Sequence, residues 1–178
     1  MNKLILSAVL LASSASALTL SSPDAKQGST LALEQVFGGF GCTGQNLSPA
    51  LNWSGVPAGT KSFALTVYDP DAPTGSGFWH WVVYNIPGST LSLPKNAGNP
   101  SSKLMPVGAV QNNTDFGMPG YGGPCPPVGD KPHRYRFTLY ALDVDKLELP
   151  PTATAAFVGF NLNGHILAKA RFTSLYGR

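Results

Sequence analysis

Apolar and polar positions alternate most cleanly in three stretches of the chain. Lys61 to Tyr68 puts Phe63, Leu65 and Val67 on one face, the period-two pattern of a strand. Trp79 to Ile86 reads as a second strand, with Trp79, Trp81 and Val83 on one face and His80, Val82 and Tyr84 on the other. Both faces are apolar except for the histidine, which predicts a strand covered on both sides. His133 to Val144 is the third, with His133, Tyr135, Phe137 and Leu139 pointing one way and Arg134, Arg136 and Thr138 the other. The two arginines read as a solvated strand face. Weaker signals predict a short strand or arm within Leu18 to Gly28, a strand over Thr30 to Phe37, and a short strand at the end of the loop 38–53. Thr152 to Leu167 loosens toward helical spacing, and Ala168 to Tyr176 returns to strand. Several strands separated by turn-rich loops, with one late helical element, predict an antiparallel sandwich.

Between the second and third strong strands the pattern vanishes. From Pro94 to Pro132, 15 of 39 residues are glycine or proline. Stretches of this length without regular structure are uncommon in folded domains unless they serve function. The whole chain has 20 glycines and 16 prolines in 178 residues, only 12% charged residues and 43% hydrophobic ones. That is a loop-rich β composition with enough apolar surface to fold, and one domain's worth of chain. The net charge of +3 is small and its basic residues are dispersed, which argues against a nucleic-acid surface.

The first 17 residues read as an export leader: Lys3, an apolar run from Leu4 to Leu11, and a small-residue cleavage site at Ala15-Ser16-Ala17. The apolar run is too short to span a bilayer. The expectation is a mature domain over 18–178, exported to the periplasm or secreted. In an oxidising compartment the two cysteines, Cys42 and Cys125, are expected to pair; two separate buried thiols are the alternative. Such a bridge would tie an early glycine-rich loop to the later proline-rich one.

The stretch from Val67 to Pro87 carries unusual chemistry. Asp69, Asp71 and, just beyond a glycine-serine-glycine tip, His80 sit in an apolar frame. His133 also begins a strand beside a proline-rich loop, and Tyr121 with Gly122 and Gly123 precedes it. If both strands lie in one sheet, the histidines converge. Consecutive glycines could aim backbone N–H groups at an anion, with an aspartate fixing a histidine tautomer. A metal site is weakly supported, because the histidines lie 53 positions apart without paired-ligand spacing. No serine sits in a nucleophile-elbow motif, and an Asp69–Asp71 acid pair has no recognisable cleft beside it. Taken singly, an aspartate before proline commonly binds nearby backbone, and a histidine between tryptophans is commonly a core residue. The residues alone indicate an exported β domain with a candidate anion pocket.

Two blocks go further. DPDAPTGSGFWHWVVYNIP (69–87) and YGGPCPPVGDKPHRYRFTLYAL (121–142) resemble the signature blocks of the phosphatidylethanolamine-binding protein family, in its bacterial Raf-kinase-inhibitor-like branch. The likeness extends through NLSPALNW (46–53) and VPAGTKSFALTVYD (56–69), and so covers most of the chain beyond the leader. The resemblance implies a Greek-key β-sandwich with one or two short helices near its C-terminus. It also implies a small pocket for anionic groups such as phosphate; the expectation is a binding protein without cofactor, metal or catalysis. Carried over residue by residue, that pocket would use Asp69, Asp71, Pro73, Phe78 and His80 from the first block. The second block would supply Tyr121, Gly122, Gly123, Pro126, Pro127, His133 and Tyr135. Phe78 stands where eukaryotic members often carry tryptophan, and Cys125 where they usually carry glycine. The C-terminal segment that helps close the pocket in animal members has no clear counterpart. The family also includes kinase and peptidase inhibitors, so a protein partner met outside the pocket is the rival reading, with a hydrolase or isomerase as a third.

Overall fold

Two antiparallel sheets face each other across one apolar layer, and a helix covers the back of the larger sheet, in a computed structural model that describes residues 17–178. The expected leader therefore lies, apart from Ala17, outside the described residues. The strands are β1 (Thr19–Ser21), β2 (Leu51–Ser54), β3 (Ser62–Asp69), β4 (Phe78–Pro87), β5 (Ser92–Leu93), β6 (Val110–Gln111), β7 (His133–Leu142) and β8 (Ile166–Tyr176), with helix α1 (Ala155–Leu162) before the last. The small sheet runs β1-β2-β5 and the large one β6-β4-β3-β7-β8. The three strongly patterned strands are thus neighbours at the centre of the large sheet.

Phe63, Leu65 and Val67 of β3 and Tyr135, Phe137 and Leu139 of β7 point toward Leu51, Trp53 and Leu93 of the small sheet, all fully or nearly fully buried. The reverse face of the large sheet is covered by α1. Thr154 caps this helix by accepting the Phe157 N–H, and Ala155, Val158 and Leu162 turn inward at one-face spacing. This second layer also buries Ala64, Val82 and Tyr84. Coverage on both faces explains why the central strands read as nearly continuous apolar runs.

Two expectations need correction. Thr30 to Phe37 is not a strand: it coils through local turns, Ala32 O to Gln35 N–H and Leu33 O to Val36 N–H, and Thr30 alone makes a parallel bridge, to Leu175. The alternation of β4 also fails. Val67 pairs with Trp81 but Tyr68 pairs with Trp79, so His80 is an extra residue in the ladder. This bulge breaks the period. Trp79 stacks beside Tyr68 and the helix-side layer, whereas Trp81 and Val83 enter the inter-sheet core. His80 is turned away from Val82 and meets the ring of Tyr135 edge-on at 5.1 Å.

Candidate functional site

Beyond the bulge, β3, β4 and β7 end together, and their ends open into a cavity of about 150 Å3. Asp69, the last residue of β3, and His133, the first of β7, meet there with His133 Nδ1 2.7 Å from Asp69 Oδ2. Both are almost fully buried, at 2% and 4% exposure, so the pair is desolvated and geometrically fixed. The other Asp69 oxygen accepts the Asp71 N–H at 2.8 Å, closing the turn after β3. His133 Nε2 lies 3.4 Å from Asp130 on the outer side.

His80 is delivered by the β4 bulge. Its Nδ1 is 2.7 Å from the Gly122 carbonyl, and its ring lies between Phe78, Phe116 and Tyr135. Burial pushes its pKa below the ordinary histidine value of 6.5, partly offset by the Gly122 carbonyl and the Asp69 charge. The unfolded ring therefore takes up a proton at a pH where the folded ring is still neutral. Stability is full above pH 6.5 and falls as pH drops below it. Unfolding free energies measured across that range should show this loss in the native protein and a flatter profile for His80→Gln. Equal slopes for the two would contradict the assignment.

The cavity gathers Asp69, Pro73, Phe78, His80, Pro126, Pro127, His133 and Tyr135 from the sequence-derived set. Burial and the neighbouring Asp69 charge push the Tyr135 phenol well above its usual range, keeping it a hydrogen-bond donor. Four other residues of that set are placed differently. Asp71 lies outside the cavity: Arg134 grips it with Nη2 at 2.6 Å and Nε at 2.8 Å, and donates its backbone N–H at 2.9 Å. That guanidinium lowers the Asp71 pKa to about 2, and Arg134 is therefore a clamp, not a free solvated side chain. Tyr121 is buried against Trp81 and donates its hydroxyl to the Gln35 carbonyl. Gly122 and Gly123 do not offer amides to a ligand. The Gly122 N–H donates to the His80 carbonyl and the Gly123 N–H to Asn46 Oδ1. Their glycine character comes from packing instead. A Cβ on Gly122 would sit 2.1 Å from the Phe116 ring, and one on Gly123 would sit 2.0 Å from the Gln35 carbonyl.

Other residues complete the walls. Phe40, Ala72, Thr74, Phe116 and Cys125 also line the cavity; Phe40 and Phe116 stack nearly parallel at 6.1 Å. Cys125 is bonded to Cys42, tying the 38–42 loop to the 124–127 loop. Arg178 straps the same loops, with Nε on the Pro126 carbonyl at 2.6 Å and Nη2 on the Phe40 carbonyl at 3.3 Å. The C-terminal segment thus does bear on the pocket, through Arg178 and through Tyr176, which pairs with His133 in the β7–β8 ladder. Among the described residues no group of three or more His, Cys, Asp and Glu side chains is arranged to hold a metal ion, and no helix is long and apolar enough to cross a membrane.

The two-sheet sandwich agrees with what family comparison finds. Residues 21–177 match the family described as phosphatidylethanolamine-binding protein, and the chain belongs to that family. Among its relatives, the protein YbcL of Escherichia coli is 50% identical over 180 residues, covering 99% of this chain and 98% of that protein. YbhB of the same organism is 49% identical, covering 89% and 99%. The crystal structure of E. coli YbcL, described as a member of the mammalian PEBP family, superposes with a TM-score of 0.89 over 92% of this chain and 99% of that one. A homologue from Chlamydia trachomatis, 33% identical, gives a TM-score of 0.76 over 91% and 98%.

Proposed function

We propose that the protein is an exported, non-enzymatic binding protein whose cavity takes a small phosphate-like anion. The observation that carries this reading is the convergence of His80, His133 and Tyr135, braced by the buried Asp69, on the floor of a cavity walled otherwise by proline and aromatic side chains. Few convergent polar groups in an apolar concavity are the usual composition of a small-molecule site. Binding rather than turnover is favoured because the candidate bases and nucleophiles are already committed. Asp69 is held by the Asp71 amide and His133, Thr74 donates its hydroxyl to the Gly77 carbonyl, and Cys125 is bridged. Export is supported by that bridge and by a Mycobacterium tuberculosis relative, 42% identical over 80% of this chain, described as a putative lipoprotein.

Calorimetric titration with inorganic phosphate should give saturable binding with one site per chain. His133→Ala should weaken it at least about tenfold, the cost of one charge-assisted hydrogen bond in a desolvated site. Unchanged affinity in His133→Ala, or no heat with the native protein at millimolar phosphate, would overturn the proposal.

A further inference from the structure

We infer that the anion enters the cavity still carrying a proton and donates it, as a hydrogen bond, to Nε2 of His80. The site is thereby specific for a protonated oxyanion, such as hydrogen phosphate or a phosphate monoester monoanion, against an isosteric anion without a proton, such as sulfate. This inference rests on the anion-binding reading above.

The Gly122 oxygen 2.7 Å from His80 Nδ1 has no proton to give, so that contact is a hydrogen bond only if Nδ1 carries one. In the neutral ring, Nε2 is then an acceptor. His80 lines the cavity and Gly122 occupies its Nδ1 edge, which leaves Nε2 as the edge for a ligand to meet. Burial opposes a second proton on the ring.

The surroundings do not favour a bare anion. The charged groups acting on His80 from the packed elements are Asp69 at the end of β3 and Asp115 in the loop beside β4. Both are acids, and the Asp115 carboxylate is close enough to accept the Trp79 N–H at 2.8 Å. The other titratable neighbours are His133 and Tyr135. Among the described residues no lysine or arginine lines the cavity, and the Gly122 and Gly123 amides are spent within the protein. A fully ionised oxyanion would press against the lone pair of Nε2, with little positive charge to offset it. An oxyanion bearing one O–H reverses that contact. It donates to Nε2 and accepts from the Tyr135 hydroxyl, for which no protein partner is found among the described residues. Buried donors and acceptors need complementary partners, and an anion that leaves one unmatched is penalised more heavily than the bond itself is worth.

The test compares inorganic phosphate, which carries at least one proton at any near-neutral pH, with sulfate, which carries none, on the full, disulfide-bonded chain. Phosphate should bind at least about tenfold more tightly than sulfate, and the preference should collapse in His80→Gln, whose amide can also donate. Nitrogen-15 spectra of the native protein give an independent reading that does not require the variant to fold. His80 should keep the Nδ1–H tautomer with phosphate bound, its Nε2 signal shifting as a hydrogen-bond acceptor. Equal affinity for the two anions, or an imidazolium His80 in the phosphate complex, would overturn the inference while leaving an anion site standing. Binding of neither would remove both.

Discussion

Replacing Asp69 with asparagine lowers unfolding free energy by about 3 kcal/mol, the range expected when one partner of a buried charged pair is removed. The substitution keeps the side-chain volume, so the loss is electrostatic. Asparagine can still accept the Asp71 N–H with its oxygen. Its amide then faces His133 Nδ1, where the carboxylate stood at 2.7 Å. Two donors meet in a site that is almost fully closed to water, and His133 must change tautomer or turn away. Urea titration reads the stability change, and phosphate affinity should fall with it. A double variant that also carries His133→Gln should lose clearly less than the sum of the two single losses, because both act on one interaction. Additive losses, or an Asp69→Asn protein within about 0.5 kcal/mol of the native one, would show that the pair is not coupled.

The second large effect belongs to the disulfide. The two cysteines are 83 positions apart, and closing a loop of that length stabilises a fold by about 4 to 5 kcal/mol in the chain-entropy picture. Exchanging both Cys42 and Cys125 for serine should therefore cost about 3 to 5 kcal/mol. The intact mass of the native chain should be two hydrogens below its dithiol form. The anion site should suffer less than stability does. Its histidines stand on β4 and β7, and the 38–42 loop keeps its bond from Phe37 N–H to the Pro124 carbonyl as well as the Arg178 strap. A large loss of phosphate affinity with little loss of stability would reverse that ranking, making the bridge a ligand-shaping element.

Alternation exposed the parts of this fold that alternate. β3 and β7 were legible because their inward residues, Phe63, Leu65 and Val67 and then Tyr135, Phe137 and Leu139, are apolar without interruption. β4 was legible as a strand but not in its facing. A bulge adds one residue without any composition signal of its own, and at His80 it decides which way the ring points. The site was legible to the extent that it lies at strand ends. Asp69, His80 and His133 stand out in the sequence as polar residues in apolar surroundings, and the family resemblance joins them. The Gly122-Gly123 pair reads in the sequence as a source of amides for an anion, whereas both amides are bonded within the protein. A glycine pair shaped to offer its amides and one shaped to admit a neighbouring ring and carbonyl look the same in sequence. Phe40 and Phe116 lie in loops with no period, and Arg178 acts from the last position of the chain on carbonyls of Phe40 and Pro126. Such contacts arise only when distant loops meet, so nothing local in the sequence marks them.

His80 and His133 are expected to share one anion. Following both imidazole resonances while inorganic phosphate is added tests this directly. Both should shift together along one saturation curve, while half-buried His165, paired to Asp143 at 3.0 Å just beyond the opposite end of β7, stays in place. Shifts confined to His165, or none at either pocket histidine at millimolar phosphate, would contradict it.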